Sequence, residues 1–149
     1  MASEEKSAAF EQVRERLGKW EGTMISGAAG AVFDVTYELK LTSGGNTIIE
    51  TLVEDGVEML TTYSDDNGEL VARHYCALGT EPVFTVSGLS GMVMSVELDN
   101  TKADLHAEHE SFVTEMKWKM NSKDSTTFEA AITLDGELTK NKARIRRVH

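Results

Sequence analysis

The pattern of apolar and polar positions changes its period at Gly18. Before that glycine, apolar residues recur at the spacing of one helix face, and these residues are Phe10, Val13 and Leu17. Ser3 is a good N-cap residue, so the pattern predicts a helix over residues 3–17. The charged residues around the stripe are predicted to be solvated: Glu11, Arg14, Glu15 and Arg16.

From Gly18 onward the period is two, in short segments separated by turn signals such as Asp55-Gly56 and Ser43-Gly44-Gly45-Asn46. About ten strands can be counted, which is enough to close a barrel around a cavity. The 149 residues suit one domain with one core. We therefore predict an all-β fold for residues 1–149: a closed antiparallel β-barrel over 18–149, preceded by the N-terminal helix.

Within each strand, charged residues are taken to mark the solvent face and the opposite parity to mark the interior. On the third strand this rule places Ile49, Thr51 and Val53 inside, and Glu50 and Glu54 outside. Applied to all strands, it gives a set of inward side chains that are candidates to bind a ligand. That set is Tyr37, Met59, Thr61, Tyr63, His74, Met94, Thr114, Met116, Trp118 and Arg147.

Methionine is unusually frequent at the predicted interior positions, which are Met24, Met59, Met92, Met94, Met116 and Met120. Flexible thioethers fill irregular gaps in a solid core, and they also make an adaptable wall for a small molecule. Because a barrel of about ten strands is wider than side chains readily fill, we favour a cavity over a filled core.

His74 is the predicted inward residue with the most versatile chemistry. As an acid or base it could move a proton, with Tyr63 as its partner. The alternative is a core histidine whose ring nitrogen is satisfied by a nearby hydroxyl group. Cys76 lies on the same face two residues on, but no Asn or Asp is visible to orient a Cys–His pair, so a nucleophile is not predicted.

The stretch 99–110 is charged and weakly periodic, and we interpret it as a loop that leads into a strand. His106 and His109 flank Glu108 in this loop, but the spacing is not typical of a structural metal site. We therefore expect no metal. No phosphate loop, dinucleotide fingerprint or Ser-His-Asp order is present.

The composition of the chain narrows the kinds of molecule that we expect it to bind. The formal net charge is −10, so the overall field repels nucleic acid and anionic lipid surfaces. The N-terminus lacks the basic start and apolar run of a secretory signal, and no apolar stretch reaches membrane-spanning length. The single cysteine, Cys76, fits a reducing compartment. We expect a cytoplasmic protein with no nucleic-acid or membrane partner, and a homodimer is left open.

The first and last strands of the predicted barrel resemble those of a known superfamily. Gly18-Lys19-Trp20 opens the first strand, and Arg146-Arg147 ends the last. A Gly-x-Trp segment, with a basic residue of the last strand over its indole, resembles the barrel-closing signature of the calycins, the superfamily of lipocalins and fatty-acid-binding proteins. Cation–π attraction gives the contact a physical reason. The segments 56–63 and 70–76 are similar to uncharacterised bacterial lipocalin-like barrels.

Three functions compete at this point. The first is binding of a small hydrophobic or aromatic molecule in the cavity, with Arg147 as an inward cation for a carboxylate. The second is a cofactor-independent isomerase or cyclase that uses His74 and Tyr63 as acid and base. The third is a structural or assembly module with a filled barrel. Nitrobindins share the barrel and hold haem through a histidine, but no motif here matches theirs, so we expect no cofactor.

Overall fold

The computed structural model describes residues 5–106 and 110–149, and within them the chain forms one α-helix and ten β-strands. A short 3-10 turn over Ser43–Gly45 joins the second and third strands. The elements are α1 Ala8–Arg14, β1 Gly18–Ser26, β2 Val32–Thr42, β3 Thr47–Glu54, β4 Val57–Asp66, β5 Glu69–Tyr75, β6 Val83–Ser90, β7 Val93–Leu98, β8 Phe112–Ser122, β9 Ser125–Leu134 and β10 Glu137–Arg147.

The strands form a closed antiparallel barrel. Each strand pairs with its neighbours in the chain, and β1 pairs with β10 to complete the circle, with Trp20 opposite Arg147. The predicted all-β fold, its antiparallel closure and the strand number are confirmed. No helix in the described part of the chain combines the length and apolar character needed to cross a membrane.

The helix is shorter than the prediction of residues 3–17. It begins after Ser7, whose Oγ accepts a hydrogen bond from the Phe10 backbone N–H at 3.1 Å. Asp65 at the end of β4 accepts from both the Ser7 hydroxyl, at 2.6 Å, and the Ser7 backbone N–H, at 2.8 Å. This anchor lies 58 residues away in the chain and so could not be seen from local sequence. The predicted cap, Ser3, lies outside the described residues.

The turn between α1 and β1 closes one end of the barrel. Trp20 is 1% exposed, and its indole N–H donates to the Arg16 carbonyl oxygen at 2.8 Å. The Arg147 guanidinium lies 4.4 Å from the Trp20 ring centroid and donates to the Leu17 carbonyl oxygen. The predicted pairing of Trp20 with Arg147 is therefore present, and it ties the helix, β1 and β10 together.

The strand β3 faces the opposite way from the prediction. Ile48, Glu50 and Leu52 are buried in the barrel, at 0%, 4% and 5% exposure, whereas Ile49 and Val53 are only half-buried. The parity rule failed here because it assumed that a glutamate always faces solvent. In this barrel the Glu50 carboxylate accepts a hydrogen bond from an interior tyrosine, described below.

Two smaller corrections concern β6 to β8. The strand β6 continues through Gly88 to Ser90, with a register shift after Val86, and Met92 at the following turn is 49% exposed rather than inward. In β8 a register shift between Val113 and Glu115 turns Val113 inward in place of Thr114. Irregularities of this kind leave no signature in a two-residue period.

Closure also requires a residue without a side chain at Gly22. A Cβ atom at this position would lie 2.0 Å from the Arg144 carbonyl oxygen on β10. Real Cβ atoms do not approach a backbone oxygen so closely, so a side chain at this position would push β1 away from β10.

We expect Gly22→Ala to lower the free energy of unfolding by about 1–3 kcal/mol or more, as other overpacking substitutions do. The matched control is Gly88→Ala in β6, where the nearest atom to a new Cβ is 3.8 Å away. Gly88→Ala should change stability by less than about 1 kcal/mol. Urea unfolding of both variants measures the difference, and equal effects would show that the β1–β10 approach is not tight.

Candidate functional site

A cavity of about 280 Å³ occupies the end of the barrel away from the helix. The strand β4 sets this direction: its last residues, including Asp65, lie beside α1, and its first residue, Val57, lines the cavity. Asp55 in the β3–β4 turn and Leu78 in the β5–β6 connection also line it. The cavity mouth is therefore built from connections, and the cavity floor from the middle of the barrel.

The cavity wall is mainly apolar and aromatic. Trp118 and Phe128 lie side by side, with ring centroids 5.5 Å apart, and Tyr37 meets Phe128 edge to face at 6.1 Å. Further apolar lining comes from Met24, Phe33, Leu52, Met59, Val113, Met116, Ala130, Ile132 and Leu134. A wall of this kind, with few polar groups, is typical of a small-molecule site.

Six of the ten predicted ligand-binding residues line this cavity. They are Tyr37, Met59, Thr61, His74, Met116 and Trp118. Alternation along β2, β4, β5 and β8 brings them together, since each strand supplies one or two inward positions. That they bind a ligand stays a prediction.

The structure places the other four away from the cavity. Tyr63 and Met94 are buried deeper in the barrel. Thr114 sits at the β8 irregularity, where its hydroxyl donates to the Ala131 carbonyl oxygen at 3.2 Å. Arg147 lies at the closed end over Trp20, so it does not offer a cation to a ligand carboxylate in the cavity.

Sequence reasoning missed two carboxylates, Glu50 and Glu54, which both line the cavity. The Tyr63 hydroxyl donates to Glu50 Oε1 at 2.8 Å, and the Tyr37 hydroxyl donates to Glu54 Oε2 at 3.0 Å. Burial raises the pKa of both carboxyl groups, and it raises the pKa of both tyrosines well above the usual value. Each tyrosine therefore stays protonated and donates to a glutamate carboxyl oxygen.

A signal for these carboxylates was present in the hairpin. Asp55-Gly56 is a two-residue turn, which pairs Glu54 with Val57 and, four residues further from the turn on each strand, Glu50 with Thr61. Residues directly opposite each other in an antiparallel pair share a face. Because Thr61 was predicted to be inward, its partner Glu50 had to be inward too.

Arg16 is the third missed residue. It was predicted to be solvated, yet it is 3% exposed and enters the barrel from the turn that follows α1. Its guanidinium lies 4.7 Å from the Trp118 ring centroid and 6.0 Å from that of Tyr63. The positive charge of Arg16 lowers the pKa of Glu50, against the stronger effect of burial. Arg16 Nη2 is buried and has no hydrogen-bond partner among the described residues.

His74 is 4% exposed and lines the cavity beside Cys76. Its Nδ1 lies 2.9 Å from the Thr61 hydroxyl oxygen, directly across the β4–β5 ladder. Burial lowers the pKa of His74 to about 4, and burial raises the pKa of the Cys76 thiol. At neutral pH the imidazole is therefore uncharged. Its hydrogen bond with the Thr61 hydroxyl is that of a core histidine, which was one of the two alternatives given by the sequence.

The loop before β8 is described only in part. His106 Nε2 lies 3.4 Å from Asp104 Oδ2, and the His106 backbone N–H donates to Glu110 at 3.0 Å. Glu108 and His109 lie outside the described residues, so the expectation for that pair is not tested. In residues 5–106 and 110–149, no cluster of three or more His, Cys, Asp or Glu side chains could hold a metal ion.

No family model matches this chain, and no curated protein matches it either. Among solved structures, it is similar to a protein of unknown function from the DUF3598 family of Nostoc punctiforme, with a TM-score of 0.67 and 11% identity. That match covers 91% of this chain and 49% of the other, so this chain spans about half the length of that protein. A de novo designed fluorescence-activating β-barrel matches with a TM-score of 0.44 and 14% identity, over 91% of this chain and 95% of the design. At these identities the likeness to the DUF3598 protein shows the fold alone.

We expect Arg16 and Glu50 to be energetically coupled. Arg16→Met should destabilise the protein at pH 7 by about 1–3 kcal/mol, because Glu50 loses the cation that favours its charged form. In a Glu50→Gln background the same substitution should cost less, with a coupling energy of about 0.5–3 kcal/mol. Urea unfolding of the four proteins measures this, and simple additivity would contradict the coupling.

We expect the His74 imidazole to titrate near pH 4 in the folded protein and near pH 6.5 in the denatured chain. Between these values the unfolded chain binds a proton that the folded chain excludes. Stability should therefore fall as the pH drops from about 6.5 to 4, by up to about 1.4 kcal/mol per pH unit from this group. NMR titration gives the pKa, and His74→Gln should remove this part of the slope. A folded-state pKa near 6.5 would mean that the ring is solvated.

Proposed function

We propose that this protein binds a compact hydrophobic or aromatic molecule inside its barrel. The observation that carries the proposal is the cavity of about 280 Å³, with an aromatic and methionine-rich wall and a few polar groups directed into it. Ligand sites in proteins start at about 300 Å³, and an apolar cavity of about 150 Å³ already admits benzene. A ligand with a body of about two rings suits this size.

The position of the cavity also supports binding. The cavity is reached from the end of the barrel opposite α1. The helix and the Trp20–Arg147 contact close the other end. A rigid closed end with an accessible opposite end is what a carrier or sensor of a small molecule requires. This arrangement also supports grouping the barrel with the calycins, whose closing signature the Trp20–Arg147 contact resembles.

The geometry gives less support to the isomerase or cyclase. That reaction was to use His74 and Tyr63 on one substrate, but the Tyr63 hydroxyl is bound to Glu50, and Tyr63 does not line the cavity. A base with a pKa of about 4 is weak at neutral pH. We therefore propose that His74 orients a ligand through its uncharged ring rather than moving a proton.

Titration calorimetry with the neutral probe 1-naphthalenemethanol tests the proposal. We expect saturable binding of one molecule per chain, with a Kd below about 1 mM. Ala130→Phe places a ring in the cavity and should weaken binding at least about tenfold while the fold is kept.

The control is Thr127→Phe, which adds a similar ring to a β9 position that does not line the cavity. This variant should bind the probe like the wild-type protein. Equal binding by Ala130→Phe and the wild type would place the probe outside the barrel, and no binding to either would argue that the interior is closed to ligands.

A further inference from the structure

We propose that the cavity selects a compact organic cation, a protonated amine on an aromatic or aliphatic body, over its neutral and carboxylate analogues, and that Glu54 recognises the cation. This inference rests on the proposed function, because it concerns the ligand of the same cavity. It comes from the charges and hydrogen bonds inside the barrel rather than from its shape.

The described residues that line the cavity include three acidic side chains and no lysine or arginine. Glu50 and Glu54 line the cavity, and Asp55 stands at its mouth. Among the described residues, Arg16 is the cation that acts on Glu50. Burial raises the pKa of Glu54, and the nearby Glu50 raises it further. The hydrogen bond from the Tyr37 hydroxyl lowers it. Glu54 is thus a carboxyl group at the cavity wall without a cation of its own.

Both carboxylates have an oxygen left over. Tyr37 donates to Glu54 Oε2 and Tyr63 donates to Glu50 Oε1, while the second oxygen of each accepts no hydrogen bond from residues 5–106 or 110–149. Glu50 is 4% exposed and lines the cavity, so a ligand there can supply a donor to its carboxyl group. Buried acceptors normally find partners. An ammonium group brings up to three donors and the missing positive charge together.

The other groups around the cavity fit a cation as well. Trp118, Phe128 and Tyr37 line the same cavity as the two carboxyl groups, and aromatic rings attract organic cations. His74, on β5, is uncharged at neutral pH because burial holds its pKa at about 4. Cys76 stays a neutral thiol, since burial raises its pKa. No positive charge of the described residues that line the cavity therefore opposes a cationic ligand.

The two cations that could attract a carboxylate are in the wrong place, because neither Arg16 nor Arg147 lines the cavity. Arg147 lies over Trp20 at the closed end and donates to backbone carbonyl oxygens there. A carboxylate ligand would instead lie against Glu50 and Glu54, where like charges repel. The net charge of −10 adds a long-range field that also favours cations.

The test compares three probes of nearly equal shape by titration calorimetry at pH 7: 1-naphthylmethylamine, 1-naphthalenemethanol and 1-naphthoic acid. We expect the amine to bind at least about tenfold tighter than the alcohol, and the alcohol tighter than the acid. The amine should also lower the pKa of Glu54 on binding, because it favours the charged form of that carboxyl group, whereas the alcohol should not. Titrations over a range of pH, in two buffers of different ionisation enthalpy, measure the proton release that this shift causes.

The Glu54→Gln variant separates the effect of the Glu54 carboxyl group from that of the protein's overall negative charge. The glutamine oxygen can still accept from Tyr37, so the fold should survive, but the tenfold preference for the amine should disappear. The matched control is Glu58→Gln, which removes the same charge from an exposed position on β4. This variant should keep the preference.

Each outcome decides between the two proposals. If the three probes bind equally, the cavity is a binding site but not one for cations, and this inference fails alone. An amine preference that survives Glu54→Gln also overturns it, since Glu54 is then not the recognising group. If none of the three probes binds, the proposed function fails together with the inference.

Discussion

The contact of β1 with β10 is the constraint on which the rest of the structure depends. Nine of the pairings in the described barrel join consecutive strands, and only this one joins the two ends of the chain. Gly22 allows the two backbones to approach, and Trp20 with Arg147 covers the end of the barrel. Because the same contact holds the turn after α1 in place, it also directs Arg16 into the interior.

The buried Arg16 explains how the barrel tolerates Glu50. A buried carboxylate is costly unless it is hydrogen-bonded and near a positive charge. Glu50 has both, from the Tyr63 hydroxyl and from the field of Arg16. Glu54, closer to the mouth, has a tyrosine but no such cation. The interior therefore has a cation beside its carboxyl group at the closed end and a carboxyl group without a cation at the accessible end, and this asymmetry is the basis of the ligand class proposed above.

The sequence predicted the architecture well because the signals are local. Period-two alternation, turn residues such as Asp55-Gly56 and the glycines beside Trp20 are each readable within a few residues. The interior positions of β4, β5 and β9 followed from the same alternation. What failed was the face of β3, where Ile48 and Leu52 lie on one side and Ile49 and Val53 on the other, so apolar residues alone do not choose between them.

Only part of the site was predicted from the sequence. Aromatic and methionine side chains on inward positions were found, since burial of apolar groups is the rule that parity uses. Arg16 was missed because its burial depends on Glu50 and Tyr63, which are distant in the chain. Glu50 was missed because glutamate was assumed to face solvent, although its partner in the hairpin, Thr61, was predicted to be inward. Thr114 was misplaced by a strand irregularity that only the register with β9 reveals.

The most direct measurement of the central claim is a crystal structure of the protein soaked with 1-naphthylmethylamine. We expect the naphthalene rings inside the cavity, against Trp118 and Phe128, and the amine nitrogen within hydrogen-bond distance of the Glu54 oxygen that Tyr37 does not bind. The amine bound on the outer surface, or the cavity filled by rearranged side chains with no ligand inside, would contradict it.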